Sequence, residues 1–177
     1  RALKRASRYL EHCQTSDGAW LPLWFGNQTA LDQANPTYGT ARVLAALCQL
    51  DGNTPSHAVD MIDRGTQWLL RAQNDDGGWG GGTRTPSTLE ETGLAVVALL
   101  GIRNNSGAIE AATRGTEWLV NQLSGPEPCR PAPIGLYFAK LWYSEDLYPL
   151  IFATAALGRY LVTQTFDAAH RDQQHRS

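Results

Sequence analysis

The side chains best suited to chemistry here are the acids, the few histidines and cysteines, and a late crowd of aromatic rings. Asp75 and Asp76 stand side by side and could hold a magnesium ion and, through it, a diphosphate. They lie inside Asn74-Asp75-Asp76-Gly77-Gly78, however, where short polar side chains next to glycine read as a turn. A zinc site needs clustered ligands. His57 lies in a Pro-Ser-His loop, His12 in a helix, His170 and His175 near the end, and Cys129 among prolines, so local spacing assembles no ligand set. Cys13, Cys48 and Cys129 are far apart, which gives neither a disulfide framework nor metal spacing; reduced, buried thiols are expected. No nucleophile elbow or local histidine partner supports a serine or cysteine hydrolase. Tyr137, Phe138, Trp142, Tyr143, Tyr148 and Phe152 crowd into sixteen positions. Such rings attract positive charge through their quadrupole, and equally serve as core packing.

The bulk properties limit what can position these groups. A chain of 177 residues with 42% hydrophobic content can bury a core as one domain. Fifteen Lys plus Arg against 17 Asp plus Glu leave a net charge of -2, without a block of like charge. That argues against a nucleic-acid or anionic-membrane surface built on charge. No window approaches the roughly 18 apolar residues of a bilayer span, and the first ten residues are too polar for a secretory signal. A helical pattern is already running at Ala2, Ala6, Tyr9 and Leu10, so the chain is expected to begin within an architecture.

The dominant signal is a repeat. Residues 5–20 (RASRYLEHCQTSDGAW) and 64–79 (RGTQWLLRAQNDDGGW) share one frame: basic, small, two variable, aromatic, Leu, three variable, Gln, three variable, Gly, one variable, Trp. A third copy starts at Arg114 (RGTEWLVNQ), reaches Gln122 one position early and dissolves into Ser124, Gly125 and Pro126. Copies begin at Arg5, Arg64 and Arg114, spacings long enough for two helices and their connections. Each unit therefore reads as a helical hairpin, the repeated segment being its outer helix.

Between the copies lie uniformly apolar stretches at 38–50, 92–101 and 148–162, rich in Ala, Leu and Gly, which suit inner helices packed on several sides. Prolines 36, 86, 126, 128, 131 and 133 stiffen the connections. Ser87 or Thr88, followed by Glu90 and Glu91, resembles an N-cap with acidic first-turn residues. No segment alternates as a strand would. The expected fold is all-α, a toroid fragment of about three outer-inner hairpins over 1–163, followed by a polar, flexible tail over 164–177.

The frames at Gln14 to Trp20 and Gln73 to Trp79, with their upstream basic-small-x-x-aromatic-Leu halves, resemble the QW motif of squalene-hopene and oxidosqualene cyclases. Trp24-Phe25-Gly26-Asn27, Tyr38-Gly39-Thr40, Tyr148-Pro149 and Ala156-Leu157-Gly158-Arg159-Tyr160 extend the similarity to about Tyr160. The resemblance implies the last part of an (α/α) toroid in a class II terpene cyclase, which cyclises squalene or a related polyprenoid through carbocations. Gln14, Trp20, Gln73 and Trp79 would be structural braces, the Gln amide bonding backbone at a neighbouring helix end. Tyr137, Phe138, Trp142, Tyr143, Tyr148 and Phe152 would contribute to the cavity wall, which must stabilise positive charge without a quenching base. Tyr38 matches a position near the catalytic acid.

The family's acid belongs to an upstream Asp-x-Asp-Asp motif that neither Asp75-Asp76 nor Asp60 with Asp63 reproduces, so this segment is expected to hold no catalytic residue. No metal or other cofactor is expected. The implied partners are the polyprenoid and the remainder of the cyclase chain, with peripheral contact on the cytoplasmic side of a membrane. A longer polar stretch before Tyr38 and extra residues between Tyr148 and Arg159 depart from bacterial cyclases and leave the product open. A protein prenyltransferase β subunit lacks its zinc ligands here, and the Cys-Gly-Glu-Gln of a thioester domain is absent. The serious rival is a non-catalytic helical repeat that binds a lipid or a protein partner.

Overall fold

The computed structural model describes residues 2–30, 32–50, 56–126, 131–136 and 141–174. Six helices run among them: α1 Ala2–Cys13, α2 Pro36–Cys48, α3 Ser56–Ala72, α4 Leu89–Leu99, α5 Ser106–Leu123 and α6 Leu147–Gln174. They alternate as three outer-inner pairs. The outer helices touch in the order α1, α3, α5, and the inner ones in the order α2, α4, α6. This is the all-α toroid fragment that the repeat predicts.

Helix α4 sits at the centre, packed on α2, α5 and α6, and nine of its eleven residues are buried. Its uniformly apolar sequence is what a helix covered on several sides requires. A Cβ at Gly93 would lie 2.6 Å from the Phe152 carbonyl oxygen, so glycine is what lets α4 and α6 approach. The inner helices are parallel. Tyr38, Glu90 and Tyr148, each within the first three residues of its helix, lie near one another. At the opposite end, a Cβ on Gly101 would meet that of Cys48 at 3.3 Å.

Side chains set the helix starts. Asn35 accepts from the Tyr38 amide with Pro36 in the first turn, Thr88 accepts from the Glu91 amide, and Asn105 accepts from the Ala108 amide. Of the two cap candidates before Glu90, Thr88 is the one used.

Three expectations need correction. First, strands are present: Ala132–Leu136 (β1) and Leu141–Glu145 (β2) pair antiparallel, with Gly135 opposite Trp142. Burial along β2 does not alternate, so this ribbon covers no core with one face and its sequence carries no period of two. It is tied to the polar stretch before α2 by the Gly26 amide, which donates to the Gly135 carbonyl at 3.2 Å. Second, α6 runs past position 163 to Gln174. The polar residues from 164 continue a helix to that point, because Gln, Ala and Arg are sound helix formers whether or not they pack. Third, Cys13 is exposed and Cys48 half-buried. Cys13 closes an outer helix whose only buried residue is Ser7, so it has little to be buried against. Cys129 lies outside the described residues.

Candidate functional site

The two Gln-to-Trp segments form the same interlock. Gln14 Nε2 donates to the Gly18 carbonyl at 2.9 Å and to Met61 O of α3 at 3.0 Å. Gln73 Nε2 donates to Gly77 O at 2.8 Å and to Ala111 O of α5 at 2.9 Å. The next copy's arginine closes each from outside: Arg64 donates to Gln14 Oε1, and Arg114 to Gln73 Oε1. Trp20 Nε1 donates back to Leu10 O and Trp79 Nε1 to Leu69 O, both at 2.8 Å. Their amides donate to Thr40 Oγ1 and Thr92 Oγ1 on the inner helices at 3.0 and 2.9 Å.

The frame's small and acidic positions follow from the same geometry. Gly18 and Gly77 adopt left-handed φ of 101° and 93° as each turn passes the next helix. A Cβ at Gly65 or Gly115 would come within 2.7 or 2.6 Å of the Trp20 or Trp79 ring. Asp17 Oδ2 accepts from Trp68 Nε1, and Asp76 Oδ2 from Trp118 Nε1, both at 3.0 Å. Asp76 Oδ1 also accepts from Gly78 N and Ser87 Oγ, which makes it a turn residue, and Asp75 is exposed. Asp17 is held below the usual carboxylate range, chiefly by the Thr15 hydroxyl. Replacing Gln73 with leucine strands two carbonyls and the Arg114 contact. A loss of about 1–3 kcal/mol is expected in urea unfolding, and an unchanged midpoint would dismiss the clasp as incidental.

The chemically distinctive region is the end where the three inner helices begin. Tyr38 is half-buried, its ring 4.8 Å from that of Phe25. Tyr148 and Phe152 of α6, also half-buried, pack edge to face at 5.6 Å. Burial raises the Tyr38 phenol pKa, and the neighbouring Tyr148 and Glu90 push the same way against Arg42. Trp142 instead lies across its strand partner Gly135, where a Cβ would meet its ring at 2.5 Å, and Tyr143 is half exposed. Tyr137 and Phe138 lie outside the described residues. Of the aromatic candidates, the structure thus brings together Tyr38, Tyr148 and Phe152, and adds Phe25.

Two carboxyls at this end escape a reading of the sequence. Glu91 is 3% exposed and accepts from Asn27 Nδ2 and Asn35 Nδ2, each at 2.9 Å, and from the Thr88 hydroxyl. The Thr88 amide goes to Trp79 O, so the Glu91 side chain is free to turn inward instead of closing a capping box. Burial raises its pKa, while the two amides pull the other way. Glu90 is 7% exposed, and no hydrogen bond reaches it from a described residue. Burial, then repulsion from Glu91, pushes it up to about 8, so it is largely protonated at neutral pH. The signal that could have found the pair is two acids heading the most apolar helix of the chain, where a solvated first turn is not available. Together these residues form a surface of ring faces with a neutral carboxyl beside them, suited to an apolar or cationic guest.

The comparisons with known proteins agree with this architecture. A family model for the squalene-hopene cyclase C-terminal domain matches residues 1–162. Terpentedienyl-diphosphate synthase of Kitasatospora griseola is 32% identical over 158 residues, covering 84% of this chain and 27% of that protein. Ent-copalyl diphosphate synthase of Streptomyces sp. (strain KO-3988) is 30% identical, over 97% of this chain and 30% of its own length. Squalene-hopene cyclase of Zymomonas mobilis is 31% identical over 66% of the chain. Ent-copalyl diphosphate synthase from Streptomyces platensis superposes with a TM-score of 0.64 at 25% identity, covering 89% of this chain and 27% of that one. The chain therefore spans under a third of the length of these relatives. With outer-inner hairpins joined by Gln-to-Trp turns and 1–162 matched throughout, it belongs to the squalene-hopene cyclase C-terminal domain family.

Proposed function

We propose that this chain is the C-terminal portion of a class II terpene cyclase, and that its inner-helix starts form part of the apolar wall where a polyprenoid is cyclised through carbocations. The observation that carries this is the convergence of Tyr38, Tyr148 and Phe152 with Phe25 beside a carboxyl held in its neutral form. Ring faces stabilise migrating positive charge, and a protonated Glu90 does not quench it as a carboxylate would. The acid that starts the cascade is assigned to the remainder of the cyclase. Relatives named for diphosphate products and relatives named for squalene both match, so the substrate is put at the level of a polyprenoid. The reading extends to a peripheral position on the cytoplasmic side of a membrane, where such substrates dissolve; no described helix is long and apolar enough to cross one.

The test uses the polypeptide from the native gene, incubated separately with squalene and with a C20 prenyl diphosphate, with products separated by mass spectrometry. One of the two is cyclised. Phe152→Ala then slows turnover about tenfold, as expected for losing a desolvated ring worth about 1–2 kcal/mol to a cation, or releases partly cyclised products. A folded protein that binds a polyprenoid without converting it would replace this reading with the non-catalytic one.

A further inference from the structure

The interlock described above has two halves, and α1 carries one of them without its complement. In both observed clasps the first half of a repeat receives the turn of the repeat before it. Arg64 and Arg114 bind the preceding glutamine, and Trp68 and Trp118 bind the preceding aspartate. Gly18 and Gly77 lie over the Arg64 and Arg114 carbonyl oxygens, 2.5 and 3.1 Å from where a Cβ would stand. In the first copy the matching residues are Arg5, Ala6 and Tyr9. All three are exposed, Tyr9 to 65%, whereas Trp68 under its turn is 5% exposed. No described residue fills the place of a glutamine or an aspartate opposite them.

We propose that Arg5, Ala6 and Tyr9 form a docking surface for the Gln-x-x-x-Gly turn of a preceding repeat in the same polypeptide. The occupant is specified by the surface: a side-chain amide oxygen for the Arg5 guanidinium, a carboxylate for the Tyr9 hydroxyl, and a left-handed glycine over the Arg5 carbonyl. A second copy of this chain cannot supply it. Its two complete turns are already engaged by Arg64 and Arg114, and its third segment passes from Gln122 into Ser124, Gly125 and Pro126 with no Gly-x-Trp. In the observed pairs the glutamine precedes its arginine by 50 and 41 residues. The partner glutamine is therefore placed about 40 to 50 residues ahead of Arg5, one repeat earlier. Ala6 adds a detail. It stands where Gly65 and Gly115 make room for a tryptophan ring, so the incoming ring must stand off by about a methyl group. None of this depends on the catalytic reading.

The test is again made on the polypeptide from the native gene. Its upstream sequence should hold a Gln-x-x-x-Gly turn at the stated distance. Arg5→Ala and Arg64→Ala should then lower the melting temperature by similar amounts, about 2–4 °C. Combining Arg5→Ala with replacement of the upstream glutamine should lower it no further than either change alone. Arg5→Lys, which keeps charge but loses the fork, should fall between and serves if the alanine variant fails to fold. Absence of such a turn, additive effects of the two replacements, or an Arg5→Ala variant that merely converts a dimer to a monomer in sedimentation would each overturn the proposal.

Discussion

Trp79→Ala should cost the protein about 3–5 kcal/mol of unfolding free energy, among the largest effects available to a single substitution. Trp79 is fully buried and joins three elements at once. Its indole nitrogen reaches Leu69 O of α3, its amide reaches Thr92 of α4, and its ring fills the space left by Gly115 of α5. Alanine keeps the amide bond but opens a cavity between three helices that cannot collapse without breaking the Gln73 clasp beside it. Trp24, 56% exposed in the stretch before α2, is the internal control, and Trp24→Ala should change stability by no more than about 0.5 kcal/mol. Thermal unfolding followed by far-UV circular dichroism separates the two. A Trp79→Ala midpoint that matches the parent would remove the bracing role from the Gln-to-Trp frame.

The contrast between these two tryptophans shows what was legible in the sequence. Trp79 stands in a frame that occurs twice, and repetition at a spacing of two helices is enough to assign outer helices, inner helices and the turns between them. What repetition cannot show is which inner-helix residues meet. Glu90 and Glu91 read locally as ordinary first-turn acids, and so they are by cap geometry. Their burial comes from Asn27 and Asn35, which are 64 and 56 residues away from Glu91 and lie in a stretch that looks like a polar loop. The aromatic crowd near the end was visible as composition only. Tyr148 and Phe152 reach the helix-start cluster because a spacing of four puts them on one face of α6. Trp142 and Tyr143 are drawn instead into a two-stranded ribbon, which buries no face and so leaves no alternation to read. Phe25 was quoted only as part of a resemblance, since its contact with Tyr38 depends on how the polar stretch folds back.

The second large effect is a dependence of stability on pH that passes through Glu90. Its folded pKa, about 8, lies above the ordinary 4.5 because burial, reinforced by Glu91, disfavours the charged form. Over that interval the folded state holds a proton that the unfolded state has released. Stability is therefore full below about pH 4.5 and declines as pH rises toward 8, with a slope of at most about 1.4 kcal/mol per pH unit from this group. The Glu91 carboxyl is shifted in the same direction and adds to the decline. Glu90→Gln keeps the shape and removes the titration. Measured by urea unfolding at pH 5, 6, 7 and 8, the variant should match the parent most closely at pH 5 and exceed it increasingly toward pH 8. A gap that stays constant with pH would mean that Glu90 is ionised in the folded protein, and the neutral wall would lose its support. The same substitution reaches the proposed chemistry. If the rings beside Glu90 face a cation, the carboxylate that appears above pH 8 is a trap for it. Turnover by the native polypeptide should then fall through that pH in the parent and persist in Glu90→Gln, a difference that a purely structural carboxyl would not produce while both proteins remain folded.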